Sequence, residues 1–179
     1  MSIVSFGEES PELGYKILDE RVMRGSAGLM LLIGLVAFVN GFVVKYYAPL
    51  PYLSGFLLGN FALGVFVNPK FAPTYAVARL LVHGQAPLPI GAIQKKFAWS
   101  LGLTLMAAVF AMSLQLITDP SWFDPVCMVC LVCLLFLYLE TAFGICVGCK
   151  LYGLALRLGL ARAPAVAPNC MGDACRRAP

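Results

Sequence analysis

The chain has 179 residues, of which 60% are hydrophobic and 12% charged, and a formal net charge of +4. Soluble domains carry about a quarter charged residues, so this composition excludes an ordinary soluble enzyme, and the length allows one domain. The bases sit in loops and chain ends rather than in one stripe interleaved with aromatics, which argues against a nucleic-acid partner.

The opening stretch, "MSIVSFGEESPELGYKILDERVMR", has acidic and polar residues. It lacks the basic start, short apolar core and small-residue cleavage site of a signal peptide. The first apolar run is therefore expected to stay as a permanent helix, with residues 1–24 as a cytoplasmic segment before it. Apolar runs of about 20 residues are the membrane signature. Spans are expected at residues 25–44, 50–67, 97–117 and 126–149, within a membrane domain of residues 25–160. "KYYAP" between the first two makes a tight hairpin, and Asn68-Pro69 stops the second. Between spans two and three, Thr74 to His83 alternates Tyr75, Val77, Ala78, Leu81 and Val82 with Arg79 and His83. That pattern predicts a short amphipathic helix lying at the membrane interface.

The fourth apolar run continues to about Leu160, about 50 Å if helical throughout. One continuous helix is expected, leaving the membrane near Lys150 with Lys150 and Arg157 in water. The tail 161–179 is rich in proline and alanine and is expected to be flexible. Lys16, Arg21, Arg24, Lys70, Arg79, Lys95 and Lys96 fall on one side of the predicted spans, together with Lys150 and the arginines beyond it. The opposite loops hold Lys45, Asp119 and Asp124. By the positive-inside rule both termini face the cytoplasm. The expected fold is all-α: an integral membrane four-helix bundle with the interfacial amphipathic helix between spans two and three, its first partner the lipid bilayer.

All seven cysteines lie in the last third of the chain: Cys127, Cys130, Cys133, Cys146, Cys149, Cys170 and Cys175. Cys127 and Cys146 are about 28 Å apart along a helix, beyond the reach of a disulfide, so there are two separate clusters, each a Cys-x-x-Cys. This spacing brings two sulfurs together and lowers the pKa of the attacking thiol in redox proteins. It also suits zinc, copper or an iron–sulfur centre. Cys127 and Cys130, just after Asp124-Pro125, are expected at a helix N-terminus, where the dipole favours thiolate. Cys146 and Cys149 are expected toward a helix C-terminus, where it does not. Cys146, Cys149, Cys170 and Cys175 together supply four thiols, enough for a closed metal site. For Cys133, packing as a small hydrophobe is the plainer expectation.

Glu140 sits inside the fourth span, on the face of Cys133. An intramembrane acid usually faces the bundle interior and marks a pathway or a pairing. Here it is either a proton partner for thiol chemistry or a hydrogen-bonder to another helix, through Asn40 or Asn60, with Gly144 and Gly148 as a small-residue packing step. His83, the single histidine, excludes a histidine-rich catalytic zinc site, and no phosphate loop, Ser/His/Asp set or paired-acid site is present.

"LETAFGICVGCKLY", Leu139 to Tyr152, and "QKKFAW", Gln94 to Trp99, resemble the sequences of a family of small bacterial four-span membrane proteins classed as a domain of unknown function. The matching residues are Glu140, Gly144, Cys146, Gly148, Cys149 and Lys150, with Phe97, Ala98 and Trp99 upstream, over roughly residues 20 to 155. The resemblance implies a bacterial inner-membrane protein often encoded near thioredoxin-like or rhodanese proteins, and thus thiol or sulfur handling. The outer cysteines and Cys170 and Cys175 lie outside the matching pattern. The leading expectation is redox or persulfide/thiosulfate chemistry at Cys146 and Cys149, with Glu140 assisting, Cys127/Cys130 as a second thiol pair, and no required cofactor. The alternatives are a soft-metal site and a non-catalytic subunit of a membrane complex or homo-oligomer.

Overall fold

The computed structural model describes residues 5–10 and 14–160. Cys170, Cys175 and the expected tail 161–179 lie outside them. Helix α1 (Glu20–Phe42) starts five residues earlier than the hydropathy alone indicates, because the Asp19 side chain accepts from the Arg21 N–H at 3.0 Å and caps it. Helix α2 (Leu50–Ala62) ends in a π-helical turn (Leu63–Val67), closed by Asn68, whose side chain caps the next turn. Helix α3 (Pro73–Leu81) falls where the amphipathic helix was expected. Helix α4 (Ala92–Thr118) also begins five residues before the expected boundary and takes Lys95 and Lys96 out of the loop. Helix α5 (Phe123–Phe143) follows a single 3-10 turn. Among the described residues four helical segments, 20–42, 50–67, 92–118 and 120–143, are long and apolar enough to cross a membrane. The all-α bundle of a multi-pass membrane protein is the architecture.

Two features depart from expectation. The N-terminal segment is not a simple lead-in. Strands β1 (Glu8–Ser10), β2 (Tyr15–Asp19) and β3 (Pro89–Gly91) form a small antiparallel sheet in that order, pairing Glu8 with Ile17 and Ile17 with Gly91. Strands of three, five and three residues are too short for a period-2 pattern to register clearly in the sequence. The second departure is in the last apolar run, which is not one helix. It breaks after Phe143, and α6 (Val147–Arg157) starts anew. Gly144 adopts the left-handed conformation, φ +68°. Its N–H donates to the Glu140 carbonyl at 3.1 Å, and the Ile145 N–H to the Leu139 carbonyl at 3.0 Å. The Gly144 bond is that of an αL helix ending, a conformation that a residue with a Cβ adopts only at a cost of about 1–2 kcal/mol. Because "FGIC" is apolar throughout, hydropathy alone cannot reveal the break.

Helix α3 is tied into the bundle rather than merely resting at an interface. Thr74, Tyr75 and Ala78 are buried, and Gly25 lets α1 approach, since a Cβ there would lie 3.2 Å from the Ala78 Cβ. The Asn60 Oδ1 accepts from both the Thr74 N–H and its hydroxyl, each at 3.0 Å, and Thr74 also meets Ser26 at 2.7 Å. Val77, Leu80 and Leu81 remain exposed as the face left for lipid.

This network predicts that Asn60→Leu lowers stability by about 1–3 kcal/mol, the cost of stranding buried donors. Thermal unfolding in detergent micelles measures it. An unchanged melting temperature would mean that apolar contacts alone hold α3.

Candidate functional site

The helix break decides where the inner cysteines stand. Cys146 is not in the last turns of a continuing helix; it follows the end of α5 by three residues and is the N-cap of α6, in extended backbone conformation, and its Sγ accepts from the Cys149 N–H at 3.3 Å. Sulfur takes the place usually filled by a Ser or Asp oxygen. The sulfur sits at the N-terminal end of the helix, where N–H groups lack intrahelical partners and the dipole favours negative charge. The expectation for the two thiol pairs is thus reversed. The outer pair loses the N-terminal position because α5 already begins at Phe123. Cys127 is then the fifth residue of the helix, past its four free N–H groups.

Helix α6 is seated against α4 by close contacts between the two segments that the sequence singles out. A Cβ on Gly148 would lie 2.6 Å from both Cα and Cβ of Ala98, so only glycine permits the approach. Phe97 and Tyr152 place their rings 5.6 Å apart. Trp99, edge-on to Phe61 and Phe6, fills the space that Gly64 leaves open. Gly144 and Gly148 are therefore not one packing step: the first serves the turn and the second the contact.

Glu140 is answered by a cation, not by an amide. Lys95 Nζ lies 2.5 Å from Glu140 Oε1, with the two side chains 7% and 18% exposed. Asn60 is committed to Thr74 and Met30, and Asn40 to its own helix. Arg24 adds a second cation at the break, donating to the Thr141 carbonyl at 3.4 Å with its guanidinium beside Gly144. Neither Lys95 nor Arg24 is singled out by spacing, since both look like flanking bases.

These groups set the two thiols apart. The Cys149 thiol, hydrogen-bonded to Cys146, holds Cys146 below the ordinary cysteine value; the nearby Lys95 charge and the Cys149 N–H act in the same direction, against burial and the Glu140 charge. The same hydrogen bond, with burial and the Cys146 charge, pushes Cys149 well up. The pair is thus unequal: Cys146 is shifted toward thiolate while its neighbour keeps its proton.

Cys133, Glu140 and Cys146 all line an apolar cavity of about 70 Å³ inside the bundle. Cys127, Cys130 and Cys133 line a second one of about 60 Å³. All five described cysteines are free thiols, and Cys130 and Cys133 pack against the hydrophobic core. Among the described residues no group of three His, Cys, Asp or Glu side chains could hold a metal. The four-thiol set also needs Cys170 and Cys175, which are outside those residues.

A family model for a domain of unknown function, DUF4395, matches residues 18–157, from β2 to the end of α6, and the chain belongs to that family. No curated protein and no solved structure matches it.

Because Lys95 is buried against Glu140, removing either partner alone strands a charge. Glu140→Gln is expected to cost about 3–5 kcal/mol, whereas the double replacement Lys95→Met, Glu140→Leu stays near the original stability. Thermal unfolding of the purified variants compares them. A Glu140→Gln protein as stable as the double variant would contradict the pairing.

Proposed function

We propose that this family member is a membrane dithiol protein in which Cys146 is the attacking thiolate and Cys149 the resolving thiol. The observation that carries this reading is the placement of Cys146 at the N-cap of α6, with the Cys149 N–H on its sulfur and Lys95 close by. Thiolates are the reactive form of cysteine, and helix N-termini and nearby lysines are the settings that favour them.

The chemistry follows from the asymmetry of the pair. Cys146 thiolate attacks one sulfur of a substrate disulfide, forming a mixed disulfide and expelling the other half as thiolate. Cys149 then gives up its proton, and its sulfur attacks Cys146 Sγ. The Cys146–Cys149 disulfide forms, the second substrate thiolate leaves, and two electrons have passed from the dithiol to the substrate. A dithiol reductant such as a thioredoxin-like protein restores the pair by the reverse exchange. A persulfide donor, of the kind a rhodanese-type partner carries, enters by the same attack: Cys146 takes the outer sulfur and the donor thiolate leaves.

Lys95 and Glu140 serve as positioning residues. The ammonium stabilises negative charge on Cys146, and Glu140 keeps that ammonium fixed beneath the N-terminus of α6. Arg24, Lys70, Lys95 and Lys150 all lie on the side of the bundle where α1 begins and α5 ends, which supports a cytoplasmic face for the dithiol and a bacterial inner-membrane setting.

With glutathione disulfide as probe, Cys149→Ser is expected to accumulate a mixed disulfide on Cys146, while the unaltered chain releases it and closes the internal disulfide. Non-reducing peptide mass spectrometry reads both states. The dithiol reading fails if Cys149→Ser and the unaltered chain hold equal, small amounts of adduct, or if the Cys146→Ser chain is modified as readily at Cys149.

A further inference from the structure

The structure carries a second polar site, independent of the thiols. A cavity of about 470 Å³ opens between the small sheet and α3, at the end of the bundle where α1 starts. Its walls include Glu8, Asp19, Lys70, Tyr75, Arg79 and His83. The two acids there are already committed. The Asp19 carboxylate accepts from the N–H groups of Arg21 and Leu88, at 3.0 and 3.3 Å, and Glu8 is paired with Lys70. Among the described residues Arg79 has no ion-pair partner, and His83 lies in the turn just past the C-cap of the same helix. Tyr75 is buried at 5% exposure, and its hydroxyl feels the charges of Asp19, Arg79 and Glu8. Burial first, with the two acids, pushes it up to about 12, so it stays a proton donor.

Helix α3 divides its circumference three ways. Thr74 and Ala78 face the bundle, Val77, Leu80 and Leu81 are exposed and apolar, and Tyr75 and Arg79 line the cavity, joined by His83 from the turn that follows the helix. With the apolar face in lipid, the cavity stands at headgroup depth, where interfacial helices hold their polar side. Its donors are a guanidinium, an imidazole and a phenol; Arg79 offers a cation outside any ion pair among the described residues, while Glu8 is paired with Lys70 and the Asp19 oxygen is held by backbone N–H groups. Guanidinium is the side chain best matched to phosphate oxygens, through paired N–H donors.

We propose that this cavity binds a phosphate-bearing anion, with Arg79 as the main ligand and Tyr75 and His83 as neutral or cationic donors beside it. Phosphate of this chemistry comes from an anionic lipid headgroup or from a soluble phosphate compound, and the test separates the two. The full chain is placed in nanodiscs of zwitterionic lipid and titrated with inorganic pyrophosphate. In parallel it is placed in nanodiscs doped with phosphatidylglycerol, and retained lipid is counted by native mass spectrometry. Saturable binding in either arm, weakened about tenfold by Arg79→Gln, the loss expected for one charge-assisted contact, and less by His83→Gln, supports the site and names the source. Arg157→Gln, another exposed arginine far along α6, should leave binding unchanged. Absence of binding in both arms, or equal loss in Arg79→Gln and Arg157→Gln, would overturn the proposal. Arg79 and His83 are both exposed, so the variants keep the fold.

Discussion

A lysine and a glutamate taken into an apolar bundle must stay together, and this requirement fixes the end of the molecule that matters. Desolvating either charge alone costs several kcal/mol, and only close pairing offsets it. Lys95 on α4 and Glu140 on α5 meet at 2.5 Å, so the two helices have one permitted register near their cytoplasm-proposed ends. One turn beyond Lys95, Ala98 receives Gly148 of α6. One turn beyond Glu140, Gly144 ends α5. The ion pair therefore sets the level at which the chain turns and the place where α6 must dock.

The thiols inherit their difference from that turn. Were the last apolar run a single helix, Cys146 and Cys149 would lie on a continuous backbone with every nearby N–H already bonded to a carbonyl. The left-handed glycine interrupts the ladder and starts a new helix three residues later, so the donors of its first turn become available to Cys146. The same sulfur spacing thus has different chemistry at the two ends of α5. Cys127 and Cys130, inside a regular helix, have no such donors. Cys146 and Cys149, across a helix start and above a fixed ammonium, form an unequal pair.

Much of the frame could be read from the chain alone. Four apolar runs gave four spans, the Arg79/His83 periodicity gave α3, and Asn68-Pro69 marked the end of the second span. The failures have physical causes. Gly144 lies in an uninterrupted apolar run, and a glycine needed for positive φ looks identical to one needed for packing. Lys95 was grouped with Lys96 because adjacent bases flanking a span usually both reach water. Their helical phase distinguishes them. Ala92, Lys95, Trp99, Met106, Val109, Ser113 and Leu116 are buried on α4 and repeat at the three-and-four spacing of an inward stripe, while Lys96 falls outside it. The two segments singled out by resemblance, Gln94–Trp99 and Leu139–Tyr152, were legible as motifs. That they are two halves of one contact required the fold.

The break at Gly144 and the Lys95–Glu140 pair together set Cys146 apart as the more acidic thiol beside a protonated neighbour. The most direct measurement is the pH dependence of alkylation of each cysteine in the full, reduced chain in detergent, read by peptide mass spectrometry. Cys146 is expected to react with a midpoint below the ordinary cysteine value of about 8.5, while Cys149 stays unreactive until Cys146 is blocked. Equal rates at Cys146 and Cys149, rising together at the ordinary value, would contradict it.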